Sequence, residues 1–295
     1  MLSSDLIKTI RRIEIHTRHL VNDSFAGQYH AIFKGRGMDF EDVRPYQPGD
    51  HVRSIDWNVT ARMGAPFVKR YIEERELTVM LAFDASASGG FGTAGRFKRE
   101  VGAEIAAVLA FSAIGNNDKV GLLIFSDQVE LHIPPRKGRR HVLRLIRDLL
   151  AFKPVSRGTD IALALARLNR VLKRRAIIFL LSDFLSDSKS YQRDLVTTNR
   201  RHDVVAVTLT DPREMQWPAV GLLSLEDPET GATSWVDTGN TAWRAAFARE
   251  TALGRETRNA ALNEAKVDRI DVIVGQDYVA PLSTFFQTRA RRLRR

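Results

Sequence analysis

LTVMLAFDASASGGFG, Leu77 to Gly92, runs from an apolar segment into an aspartate, two serines at alternate positions and a glycine-rich turn. An apolar run of this length that stops at turn residues predicts a strand buried on both faces and ending at Asp84. The residues after it, Asp84-Ala85-Ser86-Ala87-Ser88, admit three readings. They suit a metal site, a nucleophile with its activator, or a polar loop that caps a helix.

Downstream, the pattern repeats. FKREVGAEIAAVLAFSAIGNN predicts a helix, with Phe97, Val101, Ile105, Val108 and Leu109 at helical spacing. VGLLIFSD is a second buried strand, and QVELHI a third, joined to it by a tight turn at Ser126-Asp127. HVLRLIRDLLAF and DIALALARLNRVLK are helices, AIIFLLSDF a strand, SDSKSYQRDLVTTNRR a helix and HDVVAVTLTD a strand. A turn-rich insertion at about 211–239 carries the β-like pieces GLLSLED and TSWVD. A helix from TAWRAAFARE, the strand VDRIDVIVG and a helix from YVAPLSTFFQ close the chain. Apolar strands alternating with helices predict an α/β fold: a mostly parallel sheet with helices on both faces. The hairpin strand QVELHI is expected antiparallel, at one edge.

Upstream, residues 1–20 predict an amphipathic helix with Leu6, Ile10, Ile13 and Leu20 near one face. The segment after it is dense in Gly, Pro and Asp, and Gln47-Pro48-Gly49-Asp50 is a turn signal. It also holds Phe33, Phe40, Tyr46, Ile55 and Trp57, so short strands and turns packed on the larger domain are expected. The expected organisation is an N-terminal helix and β/turn-rich extension over 1–75, then an α/β domain over 76–295.

The 295 residues are 44% hydrophobic and 27% charged, a globular composition. There are no cysteines, which excludes a disulfide scaffold, zinc–thiolate sites and iron–sulfur clusters. No stretch approaches the roughly 18 apolar residues of a membrane span, and the charged N-terminus lacks a signal-peptide core. A cytoplasmic protein is expected. The net charge of +10 sits largely in arginine-rich pieces such as Arg136-Lys137-Gly138-Arg139-Arg140, Arg200-Arg201 and the tail Arg289 to Arg295. These read as solvated helix ends. Nucleic-acid binding is the alternative they leave open, although no RNP-like or zinc-finger motif accompanies them.

In an open α/β sheet, ligands bind beyond the carboxyl ends of the strands. Asp84, Ser86 and Ser88 follow one strand and Ser182-Asp183 another, while Ser156-Arg157-Gly158-Thr159-Asp160 leads into a helix. Two aspartates, two serines and a threonine would thus converge at one edge. Such hard oxygen donors suit Mg2+, with Mn2+ or Ca2+ as alternatives. Two carboxylates roughly neutralise the ion, and hydroxyl ligands leave an exchangeable position for an outside carboxylate.

Asp84, Ser86 and Ser88 in D-x-S-x-S, a later threonine at Thr159 and an aspartate after a buried strand at Asp183 resemble the metal-ion-dependent adhesion site of von Willebrand factor type A domains. The strand and helix order from Leu77 onward resembles that fold as well. The resemblance implies that Ser86 and Ser88 bind a metal through their hydroxyls. Thr159, Asp84 and Asp183 would do so directly or through water. The first quarter narrows the likeness, through Gly35, Gly37, Phe40, Asp42, Arg44, Tyr46, Pro48, Gly49, Asp50, Arg53, Asp56, Trp57, Arg62 and Glu74. With Asp227-Pro228-Glu229-Thr230-Gly231, these are similar to the bacterial family called domain of unknown function 58, whose members often lie beside MoxR-type AAA+ ATPases. Some relatives carry Met where this chain has Gly89, and some carry N-terminal membrane helices.

Competing chemistry is less well matched. No G-x-S-x-G elbow surrounds either serine, and a nucleophilic aspartate would want a further acid near Asp84. A metal-dependent hydrolase is the weaker alternative. GGFGTAG, Gly89 to Gly95, lacks the lysine of a phosphate loop. His16 and His19 share a helical spacing but have no third ligand in sight. The charges from Arg44 to Arg62 alternate with Asp42, Asp50 and Asp56, which predicts internal ion pairs and turn bonds. The expected function is a non-enzymatic, metal-dependent protein-interaction module. It would be an adaptor whose partner is a MoxR-type AAA+ ATPase or its client.

Overall fold

Strand Thr78–Asp84, which we label β3, lies at the centre of a six-stranded sheet in the computed structural model. The structure describes residues 38–73, 76–93 and 95–293, together with Ile13, Tyr29, Ile32 and Phe33. Apart from Ile13, the helix expected over residues 1–20, with His16 and His19, lies outside them. So do Gly35, Gly37, Glu74, Arg294 and Arg295. Residues 33–77 form one compact unit, and residues 78–295 belong to another.

In the smaller unit, β1 (Met38–Pro45) pairs antiparallel with β2 (Phe67–Glu73), with an irregularity between Phe40 and Asp42. Between them lies a short helix, α1 (Trp57–Met63), where sequence alone predicts only strands and turns. Seven residues are too few to show a period, and the caps are what make it. Asp56 Oδ1 accepts from the backbone of Asn58 at 3.0 Å and Val59 at 3.2 Å, and Gly64 ends the helix at φ 71°. Two ion pairs form within this unit. Arg44 grips Asp50 with two bonds of 2.7 Å, and Lys69 lies 3.7 Å from Asp56.

The larger unit continues from β3 through α2 (Lys98–Gly115), β4 (Lys119–Phe125), β5 (Val129–Arg136), α3 (Arg139–Leu150), α4 (Ile161–Val171) and β6 (Ile177–Ser182). Then come α5 (Ser188–Arg201), β7 (Asp203–Thr210), the hairpin β8 (Leu222–Glu226) and β9 (Thr233–Asp237), α6 (Thr241–Glu264), β10 (Asp268–Ile273) and α7 (Val279–Leu293). The sheet order is β10-β7-β6-β3-β4-β5, parallel throughout except for β5, which runs antiparallel to β4 at the edge. The expected α/β architecture is therefore present. The hairpin β8–β9 pairs only with itself, between β7 and α6.

Alternation along β3 sends Met80 and Ala82 into a core with Ile161, Leu165 and Leu168 of α4, Tyr191 and Leu195 of α5, and Leu262 of α6. On the opposite face α2 approaches closely at Gly102, where any larger residue would have to displace the side chains facing it. A Cβ there would stand 2.8 Å from Leu209 Cδ1 and 2.9 Å from Phe83 Cε2. Chain direction reverses between β3 and β6. From β3 the chain moves outward to β4 and β5, and from β6 outward the other way to β7 and β10. This is the switch point at which α/β sheets open a crevice, and Asp84 and Ser182 are the last residues of the two strands that flank it.

Candidate functional site

Asp84 continues the β3–β4 ladder, since the next amide, Ala85, donates to Phe125 O at 2.8 Å. The chain then turns on the aspartate itself: Asp84 Oδ1 accepts from Ser86 N at 3.0 Å. A short 3-10 turn, Ala87–Gly90, follows and brings the Ser86 and Ser88 hydroxyls within 3.0 Å of each other. Asp84 Oδ2 accepts from Ser182 Oγ at 2.6 Å, so the ends of β3 and β6 are joined through this carboxylate. Ser182 Oγ also accepts from Phe184 N at 3.0 Å. Phe184 is left-handed (φ 55°), an uncommon conformation for a bulky side chain. Its buried ring packs edge-on against Tyr191, 6.0 Å between centroids, and that burial offsets the strain.

Asp84, Ser86, Ser88, Ser182 and Asp183 line one small cavity of about 10 Å³, room for a single water-sized sphere. All five are buried. Burial, and then the charge of Asp183, push the Asp84 carboxyl up to about 6, against the bonds from Ser182 and Ser86. Two carboxylates flanked by hydroxyls form a hard-oxygen donor set of the kind a small divalent cation takes, although the Lys98 ammonium lines the same cavity. Among the described residues no three His, Cys, Asp or Glu side chains gather as a metal cluster, so hydroxyls or water would have to complete any coordination.

Thr159 stands apart from that cavity. Its loop is tied to the D-x-S-x-S turn by Ala87 N donating to Arg157 O at 3.0 Å, and Asp160 caps α4 through Leu163 N at 2.9 Å. The Thr159 hydroxyl donates to Glu229 Oε1 at 3.4 Å. Glu229 sits on the β8–β9 turn, which Asp227 organises by accepting from Glu229 N at 2.9 Å and Thr230 Oγ1 at 2.7 Å. Gly231 in the same turn lies against Arg157, since a Cβ there would be 3.4 Å from Nη1. Burial, then the charges of Asp183 and Asp227, raise the Glu229 carboxyl. Glu229 therefore belongs to the electrostatics of the site.

The residue that sequence analysis does not single out is Lys98. It opens α2, where the helix dipole disfavours a cation, yet it is only 1% exposed. Its Nζ lies 2.7 Å from Asp183 Oδ2 and also pairs with Glu214 Oε1. Burial pushes the ammonium pKa down, but Asp183 and Glu214 outweigh it, and the net shift is upward. Burial raises the Glu214 carboxyl, against the charge and hydrogen bond of Lys98 and the bond from Asp211 N, and Asp183 adds a little to the rise. Glu214 ends the turn Pro212–Glu214 after β7 and accepts from Asp211 N at 2.9 Å. Its place just past a strand end is a signal the sequence does carry. Lys98 carries no comparable signal.

A family model described as "Protein of unknown function DUF58" matches residues 42–257. The chain is 31% identical to the uncharacterized protein Rv1480 of Mycobacterium tuberculosis over 288 residues, 97% of this chain and 90% of that one. Among solved structures it is similar to the conserved hypothetical protein BatB from Bacteroides thetaiotaomicron, at 16% identity and a TM-score of 0.47. That match covers 73% of this chain and 99% of BatB. It is also similar to a von Willebrand factor type A structure from Catenulispora acidiphila, at 9% identity and a TM-score of 0.37. There the match covers 76% of this chain and 43% of the other. On the family model and the near full-length relative, the chain belongs to the DUF58 family.

Proposed function

We propose that this protein is a non-enzymatic interaction module that captures an acidic side chain of a partner protein through a divalent cation, Mg2+ in the first instance. Asp84, Ser86 and Ser88 would hold the ion, with Asp183 and Thr159 engaged directly or through water. When bound, the cation would supply a Lewis-acidic position for an incoming carboxylate. The observation that carries this reading is the single small cavity at the switch point, lined by Asp84, Ser86, Ser88 and Asp183. The partner we propose, on the family resemblance, is a MoxR-type AAA+ ATPase or its client, with this chain as an adaptor in assembly or maturation.

The chain's own residues set the terms of capture. Lys98 supplies positive charge to Asp183, so an arriving cation competes with an ammonium already in place. Glu229, held by Thr159, is an acid of the chain itself beside the site, and a partner's acid would compete with it. Affinity capture of the MoxR-type ATPase with Mg2+ and with EDTA tests the reading, using wild type and Ser86→Ala. Mg2+-dependent capture that Ser86→Ala abolishes while the fold is retained supports it. Capture indifferent to both changes overturns it.

A further inference from the structure

A second cavity, of about 320 Å³, opens at the carboxyl ends of β7 and β10. Thr210 and Ile273 end those two strands at its floor, Met215 lines one side, and α6 contributes Arg255, Arg258 and Asn259. Its volume is at the small end of ordinary ligand sites.

Two arginines and two acids line it, but among the described residues the arginines form no ion pair with those acids. Arg258 is only 7% exposed, yet its guanidinium bonds neutral oxygens alone: Nε donates to Asn259 Oδ1 at 3.2 Å and Nη1 to Asp183 O at 3.4 Å. Arg255 donates from Nη1 to the Met215 sulfur at 2.9 Å, a weak acceptor, and its Nε is buried with no partner. Two acids line the cavity and neither pairs with these arginines. Asp271 is occupied by Thr208 Oγ1 and Arg269 Nε, each at 2.8 Å. Glu256 forms no ion pair with either arginine among the described residues. Burial depresses the Arg258 guanidinium, and the charge of Asp271 offsets that only in part. A buried guanidinium without an anion is costly, and guanidinium forks match phosphate and carboxylate oxygens.

We propose that this cavity binds a small anion, a phosphate or a dicarboxylate of metabolite size, held between Arg255 and Arg258. The site is separate from the cavity at Asp84, but Arg258 touches the Asp183 carbonyl and Met215 follows Glu214 directly. Its occupant therefore adjoins the segments that carry the first site.

Calorimetric titration of the full chain with inorganic pyrophosphate and with succinate, against chloride at matched ionic strength, tests the proposal. One-site, saturable binding of at least one probe is expected, with a rise in Tm on saturation. The probe that binds identifies phosphate or carboxylate as the source. Arg255→Gln should weaken binding at least tenfold. Arg255→Lys, which keeps the charge but loses the fork, should weaken it several-fold and carries the test if the Gln variant does not fold. Failure of both probes to bind above chloride overturns the proposal. So does binding that the Arg255 variants leave unchanged.

Discussion

Lys98 Nζ and Asp183 Oδ2 are 2.7 Å apart although 85 residues separate them in the chain, and both side chains are buried. A buried ion pair of this kind is weak grounds for net stability, but removing one partner strands the other in a low dielectric. Lys98→Met should therefore lower metal-free stability by about 3–5 kcal/mol, since Asp183 and Glu214 lose their common cation. Mg2+ should restore more stability to this variant than to wild type. Urea unfolding with and without Mg2+ reads both effects, and a variant as stable as wild type would remove Lys98 from the account.

Glu229 is exposed on the β8–β9 turn and hydrogen-bonded by Thr159. Glu229→Ala should leave stability within about 0.5 kcal/mol of wild type, as exposed substitutions do. It should also strengthen Mg2+-dependent capture of an acidic partner, because the chain's own competing carboxylate is gone. Weaker capture would show instead that Glu229 helps to build the site.

Gly102 meets Leu209 and Phe83 across the interface of α2 with the sheet. Gly102→Ala raises helix propensity but forces a methyl group into contacts below 3.0 Å. Overpacking should prevail, for a net loss of about 1–3 kcal/mol by denaturant melts. A gain in stability would mean that α2 can move outward at little cost.

His202 is buried at the end of α5, where its Nδ1 accepts from Ala176 N at 3.3 Å. Burial, then Arg201 and Arg175, hold its pKa below the ordinary histidine value. The neutral ring is thus favoured in the folded state. Its contribution is fully present above about pH 6.5 and is lost as pH falls through the lower folded value. His202→Asn, which keeps an acceptor but does not titrate, should flatten the decline in Tm between pH 7 and 5. An unchanged profile would exclude His202 as a source of acid sensitivity.

Much of the larger unit was legible because strands buried on both faces are written as apolar runs, and β3, β4, β6 and β7 each end at or just before an Asp or Ser. The same endings marked Asp84, Ser86, Ser88 and Asp183, since strand ends are where such sheets place ligands. Helix α1 was not legible, because local caps at Asp56 and Gly64 rather than any periodicity make it.

The sequence by itself determined the order of elements in the larger unit, the antiparallel edge and the oxygen-bearing residues at the strand ends, because these depend on local periodicity and turn chemistry. Only the tertiary structure decided which of those oxygens meet. It placed Asp84, Ser86, Ser88 and Asp183 around one cavity, bound Thr159 to Glu229, brought Lys98 to Asp183 and Glu214, and left Arg258 buried without an anion. Apart from the turn that gathers Asp84, Ser86 and Ser88, each of those relationships joins residues distant in sequence. Burial and charge pairing act through space, so no local pattern can encode them.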